Sequence, residues 1–243
     1  MTRLYITLAL IVTAFCQNYA QKIVTDTFTT RNGNEIVITP VKHGSLRITF
    51  SNREFEIDPV GPMAPKTDYS KLPKADYIIV THEHYDHLDT VAIRQLSKNG
   101  TRIIANPNSI KIIGRGEAMK NGESMTLEKG IDIEAVAAHN HAAKSKFHPA
   151  GRDNGYILTI DGVRIYIAGD TEDIDEMKSI RNIDIAFLPC NLPYTMTPEQ
   201  VAKVARQIKP AILFPYHYGD TKIQRVTELL KGSNIDVRIR NYQ

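Results

Sequence analysis

Thr81-His82-Glu83-His84-Tyr85-Asp86-His87-Leu88-Asp89 is the stretch on which the reading of this chain turns. It follows directly on Tyr77-Ile78-Ile79-Val80, a continuous apolar run that reads as a buried strand. Three imidazoles and a carboxylate fall between residues 82 and 87 in an H-x-H-x-D-H pattern. In extended backbone, residues two apart face the same way, so His82 and His84 can converge on one ion. The chain then turns, and Asp86 with the adjacent His87 can face a second ion close by. Imidazole and carboxylate are good ligands for zinc, iron or manganese. A merely solvated loop would be an odd use of so many ligand types directly after an apolar strand.

Further ligand types stand at the ends of other apolar runs. His139 follows Ile131-Asp132-Ile133-Glu134-Ala135-Val136-Ala137-Ala138. Asp170 follows Tyr166-Ile167-Ala168-Gly169, and His217 follows Ile212-Leu213-Phe214-Pro215-Tyr216. Strand mouths are rigid supports on which a site can be built. One such residue alone reads as structural; three in series, added to the first motif, read as a ligand set. Asp58, Asp89 and Glu172 are the carboxylates available to fix ligating imidazoles from behind.

Around these landmarks the patterning is mixed. Residues 22–59 alternate in short runs separated by Asn32-Gly33-Asn34 and Ser51-Asn52, an antiparallel meander. Residues 61–74, rich in proline, predict a loop. Asp89 can cap a helix carrying Val91, Ile93 and Leu96 that ends at Asn99-Gly100. Strands follow at 102–105 and 131–137. Asp161-Gly162 predicts a two-residue turn joining strands 156–160 and 163–168. After a strand at 183–188, Thr197-Pro198-Glu199-Gln200 is a capping box with proline at the first helical position. A strand at 211–214, a helix over 222–231 and a last strand at 235–239 complete the pattern. Both halves run antiparallel strands first and strand-helix units second. Two mixed sheets packed together with helices outside is the layer arrangement this implies.

Composition narrows the function. The chain has 243 residues, 42% of them hydrophobic and 23% charged, which is ordinary globular usage. Its 30 basic against 27 acidic residues give no reason to expect nucleic-acid binding. Two cysteines are too few for a disulfide scaffold or a Cys-rich zinc module. Arg3, the apolar run from Leu4 to Phe15 and Asn18-Tyr19-Ala20 form the three parts of a secretory signal peptide, with cleavage ahead of Gln21. The expectation is an exported, periplasmic or secreted protein, one domain over residues 21–243, with no stable membrane association after cleavage. Cys190 then remains as a single thiol, and its flanking Leu188-Pro189 favours a buried inert group over a nucleophile. No G-x-S-x-G motif occurs.

The segments His43-Gly44-Ser45, Asp58-Pro59, the HEHYDHLD run, Ala138-His139, Gly169-Asp170-Thr171 and Tyr216-His217-Tyr218 together resemble the metallo-β-lactamase-fold hydrolase superfamily. More narrowly, they resemble its lactonase-like branch, which includes the relatives of ascorbate-6-phosphate lactonase. The likeness runs from about residue 35 to the end. It implies an αββα sandwich with two divalent metals at one edge of the sheets, zinc first, with manganese or iron as alternatives. It implies that His82, His84 and His139 hold one ion, that Asp86, His87 and His217 hold the other, and that Asp170 bridges them. One departure bears on this set. Some relatives carry a non-ligand residue at the His139 position and a His-Pro-Lys-Gly stretch further on, which here reads His148-Pro149-Ala150-Gly151. His148 is therefore the alternative third ligand, and His141 a weaker one. His139 is preferred because it ends its strand, leaving His148 and Tyr194 as substrate contacts. His43 reads as a supporting residue.

The function implied is hydrolysis of a small ester, lactone, amide or phosphodiester by a metal-activated water, which Asp86 and Asp170 orient and deprotonate. The partner is a small molecule. The alternatives are a glyoxalase-type thioester hydrolase, or a metal-binding sensor that keeps the site without turnover.

Overall fold

The computed structural model describes residues 24–242; the stretch read as a signal peptide lies outside them. The first sheet takes its strands in chain order: β1 (Asp26–Thr29), β2 (Glu35–Lys42), β3 (Ser45–Phe50), β4 (Arg53–Ile57), β5 (Tyr77–Val80), β6 (Arg102–Ala105) and β7 (Glu117–Ala118). The second does the same with β8 (Ser124–Glu128), β9 (Ile131–Ala138), β10 (Asp153–Ile160), β11 (Val163–Ile167), β12 (Ile185–Pro189), β13 (Ile212–Tyr216) and β14 (Asp236–Val237). In each sheet the first four strands pair antiparallel and the rest add in parallel. The helices are α1 (Thr90–Leu96), α2 (Pro107–Ile113), α3 (Pro198–Ile208) and α4 (Gln224–Leu229).

Side-chain period explains the layering. β2 alternates buried with half-buried positions, as a strand with one covered face does. β5 and β12 are buried at every position, so both of their faces must be covered. In β5, Tyr77 and Ile79 point into the core between the sheets, among Ile48, Phe55 and Ile133. Ile78 and Val80 point the other way, against Ala92, Ile93 and Leu96 of α1. On the far side, Tyr166, Ala186 and Leu213 pack under Val201, Val204 and Ile208 of α3. The result is the four-layer αββα arrangement of two mixed sheets.

Local chemistry matches the sequence at the turns. Ile160 pairs with Val163, and Asp161 and Gly162 both take positive φ (49° and 81°), the pattern of a type I′ hairpin. Asp89 caps α1 through Val91 N, while Val91 itself is exposed and Ala92 takes its place in the core. That helix stops at Leu96, short of Asn99-Gly100, and α4 and β14 are shorter than the patterns suggested. α2 falls in a stretch to which the patterning assigned no element; Asn106 caps it through Ser109 N, with Pro107 at its first position. Among the described residues, no helix is long and apolar enough to cross a membrane.

The capping box of α3 closes in both directions: Gln200 N donates to Thr197 Oγ1 at 3.1 Å, and Thr197 N donates to Gln200 Oε1 at 2.8 Å. Thr197→Ala should cost about 1 kcal/mol. That corresponds to a fall of about 2–4 °C in Tm, measurable by calorimetry.

Candidate metal centre

The site lies where strands of both sheets end along one edge. Asp58 follows β4, the run 81–87 follows β5, Asp170 follows β11 and His217 follows β13. The chain turns sharply there: His43, Asp58 and His217 all take positive φ (47°, 45° and 48°), which non-glycine residues adopt only where the surroundings hold them. Gly169 (φ 65°) has no room for a side chain, since a Cβ would lie 2.8 Å from the Asn154 carbonyl. At Gly44 a Cβ would lie 2.8 Å from His87 Cε1 and 3.5 Å from His217 Cδ2, so its absence is what lets both rings sit where they do.

Two clusters of ligand atoms result, linked by a third group of His82, His87 and Asp170; within each, all ligand atoms lie within 4.8 Å of one another. One comprises His82, His84 and His148; the other comprises His43, Asp86, His87 and His217. Asp170 stands between them. Its Oδ2 lies 3.5 Å from His148 Nε2, and its Oδ1 lies 3.4 Å from both His87 Nε2 and His217 Nε2. His82 Nε2 and Asp170 Oδ1 are buried without a hydrogen-bond partner. Such orphaned groups cost about 1–3 kcal/mol each unless something else satisfies them. Lone pairs of nitrogen and carboxylate oxygen converging in a buried space fit a divalent cation.

The reverse sides of the rings show why those lone pairs face inward. Asp58 is fully buried and accepts from Thr81 N at Oδ1 (2.7 Å), from the Thr81 hydroxyl at Oδ2 (2.7 Å) and from His87 Nδ1 at Oδ2 (2.8 Å). The Thr81 oxygen, its own proton committed to Asp58, is left to accept from His82 Nδ1 at 2.9 Å. One carboxylate thus orients two imidazoles through their Nδ1 atoms and turns each Nε2 toward the site, where His87 Nε2 lies 2.9 Å from His217 Nε2. Asp153 does the same for His148, with Nδ1 to Oδ2 at 3.0 Å, and is itself held by Arg152 at 2.6 Å. His43 Nε2 lies 3.1 Å from Asp86 Oδ2, a supporting contact on the second cluster.

The electrostatics favour a cation. Burial works against a charged His87, yet the Asp170, Asp58 and Asp86 carboxylates outweigh it and lift His87 to about 10. Burial also opposes charge on Asp86, but hydrogen bonds from His217 and His43 hold it well below the usual carboxylate range. Asp170 is likewise held low against its burial by His217, His87 and His148. His82 shifts the other way: burial first, then the neighbouring His87, His148 and His84, keep it neutral as a ligand must be.

The structure brings together His82, His84, Asp86, His87, Asp170 and His217. It does not bring in His139. That ring lies 3.2 Å from Glu176 Oε1 by Nε2 and 3.2 Å from the Asn140 carbonyl by Nδ1, outside both clusters. His148 takes the place assigned to it. The physical reason is that β9 ends at Ala138 and the chain leaves the sheet edge there, returning only before β10. His141 faces Asp173 instead, at 3.2 Å. Of the three supporting carboxylates considered, Asp58 alone touches a clustered imidazole; Asp89 caps α1, and Glu172 binds Lys144 and His141 N. Asp153 was missed, although a lone acid opening an apolar strand five residues after His148 was a signal that could have found it. Tyr194 lines the cavity over the clusters, a space of about 330 Å³. Cys190 is buried away from it, its thiol pushed up to about 12 by that burial.

This is the architecture of the metallo-β-lactamase fold. Residues 55–218 match the model of the "Beta-lactamase superfamily domain". A UPF0173 metal-dependent hydrolase of Thermococcus kodakarensis is 34% identical over 154 residues, 60% of this chain and 68% of that one. One from Thermococcus onnurineus is 32% identical over 73% of this chain and 82% of its own length. A crystallised protein of Parabacteroides distasonis, provisionally named a metal-dependent hydrolase, superposes with a TM-score of 0.88 at 55% identity, covering 91% of this chain and all of that one. The chain belongs to the β-lactamase superfamily and, within it, to the UPF0173 metal-dependent hydrolases.

Two outcomes check the site as built. His148→Ala should lower bound metal measured by plasma mass spectrometry, while His139→Ala should leave it unchanged. Asp58→Asn, which removes the acceptor behind two rings, should weaken metal affinity about 10- to 100-fold in a chelator competition.

Proposed function

We propose that this protein is a hydrolase that holds two divalent cations, zinc first and manganese or iron as alternatives, and cleaves a small ester, lactone, amide or phosphodiester. The carrying observation is Asp170, whose two oxygens each face a different ligand cluster at 3.4–3.5 Å while His82 Nε2 and Asp170 Oδ1 stand buried without a hydrogen bond. In this reading His82, His84 and His148 would hold one cation, Asp86, His87 and His217 would hold the other, and Asp170 would be available to each. When bound, such a pair supplies Lewis acidity and brings the pKa of water down toward ~7.

The chain's own residues supply the rest. Asp58 and Asp153 hold the rings so that no ligand must reorient during turnover. Asp86, facing the cavity and kept ionised, and Asp170 orient the attacking water by accepting its hydrogen bonds at their carboxylate oxygens. His43 steadies Asp86 in that role through Nε2. Because His87, Asp58 and Asp170 are buried, the charges around the reacting atoms are fixed before substrate arrives. Read with the signal peptide, the reaction belongs outside the cytoplasm.

Dialysis against a chelator should abolish turnover of a chromogenic ester, lactone and bis-phosphodiester panel, and zinc or manganese should restore it. Asp170→Asn should lower kcat/KM by more than about 100-fold. Full activity in metal-free protein, or in Asp170→Asn, would overturn the reading.

A further inference from the structure

The walls of the cavity say more about the substrate than the ligands do. Apart from the clustered histidines and carboxylates, its lining consists of Met63, Tyr85, Phe147, Tyr194 and the neutral amide residue Asn191. Tyr85 and Tyr194 are exposed, at 79% and 45%, so aromatic surface stands open at the mouth. Phe147 and Tyr194 meet edge to face with centroids 5.2 Å apart, which fixes an apolar wall. Leu192, 46% exposed, lies two residues from Tyr194.

Among the described residues, no lysine or arginine lines the cavity. The cations close by are each held by other groups. Arg152 binds Asp153 at 2.6 Å and the Phe147 carbonyl at 2.7 Å, and its Nη2 also lies 3.4 Å from Nε2 of the cavity-lining His84. Lys144 binds Glu172 at 2.7 Å. Lys42 is buried and donates to the carbonyls of Gly61, Met63 and Pro65, holding the loop that presents Met63. Lys146 lies over the Phe147 ring, 4.9 Å from its centroid. A phosphate or carboxylate on the part of the substrate that does not react would enter this cavity without a side-chain cation to meet it, and it would lose its hydration against aromatic rings.

We propose that the substrate is an uncharged carboxylic ester or lactone whose acyl chain is apolar and seats against Met63, Phe147 and Tyr194. This rests on the hydrolase reading above and sets the chain apart from an enzyme for phosphorylated lactones. In the reaction, the oxygen of water forms a bond to the acyl carbon, the acyl C–O bond breaks, and the departing oxygen takes a proton. No oxidant or reductant is needed. Met63, Phe147 and Tyr194 act on specificity by binding the chain; they take no part in the bond changes.

The test uses metal-loaded protein and a matched series of p-nitrophenyl esters (acetyl, butyryl, hexanoyl and the carboxylated succinyl), with γ-lactones of the same chain lengths and a phosphorylated lactone. kcat/KM should rise with chain length by up to about fourfold per methylene, the factor set by burying one such group. The succinyl and phosphorylated members should be the poorest. Phe147→Ala and Tyr194→Ala should lower hexanoyl kcat/KM about tenfold more than acetyl, chiefly through KM; Phe147→Leu should keep most of the slope. Lys146→Ala should change neither the slope nor the order. A flat series, or a preference for the charged members that Lys146→Ala removes, overturns this inference and leaves the hydrolase reading standing. Failure to turn over any ester, lactone or phosphodiester while metal is bound overturns both.

Discussion

The site depends on one buried carboxylate. Asp58 lies at the end of β4, next to β5 in the sheet, and receives protons from the backbone and hydroxyl of Thr81 and from His87. Through Thr81 it also fixes His82. A neutral imidazole has one donor and one acceptor nitrogen; committing the donor to Asp58 or Thr81 leaves the acceptor facing its neighbours in the cluster. The two rings serve different clusters, so a single acid registers both halves of the centre. Its φ of 45° is the local cost of bringing the carboxylate back under the loop.

The second constraint is charge. Asp58, Asp86 and Asp170 crowd around His87, and the ring answers by binding a proton far more tightly than a free imidazole does. A cation at the same place answers the same field, and proton and metal then compete for one nitrogen. The fold can hold this concentration of polar groups because the two sheets beneath it are conventionally apolar. Ile48, Phe55, Ile133, Phe187 and Phe214 fill the space between them. The sheets are joined directly below the centre, where Asn154 N donates to the Thr81 carbonyl at 3.1 Å and the Tyr156 hydroxyl to the Val80 carbonyl at 3.2 Å. Loop residues at strand ends, set on that base, are where chemistry can vary without disturbing the core.

Much of the fold was legible because its signals are local. The Asp161-Gly162 hairpin, the Thr197 capping box and the fully apolar β5 each declare themselves within a few residues. What failed was also local in cause. α2 buries the polar Ser109 rather than an apolar stripe, so no hydrophobic period marked it, though Asn106-Pro107 marked its start. Val91 looked like a core position from its apolarity, but the rotation of α1 is set by what Ile78 and Val80 offer, and that put Ala92 inward.

For the site, the run from His82 to His87 was readable because four candidate ligands in six residues are held by a single strand end and turn. Asp170 and His217 were readable as polar residues closing apolar strands. The choice between His139 and His148 could not be read that way. A ring at a strand end may point along the edge or away from it, and the direction depends on the path of residues 139–152, which pack against other parts of the chain. Asn140 N donates to the His148 carbonyl at 2.8 Å and Asn140 Nδ2 to the Tyr194 carbonyl at 2.7 Å, folding the loop so that His148 enters and His139 turns out to Glu176. Sequence alone determined that imidazoles and acids would gather at the ends of strands, because alternation and ligand type are properties of neighbouring residues. Only the tertiary structure decided which of them meet, because Asp58, Asp153 and Asp170 reach their histidines across the turns and sheets that folding brings together.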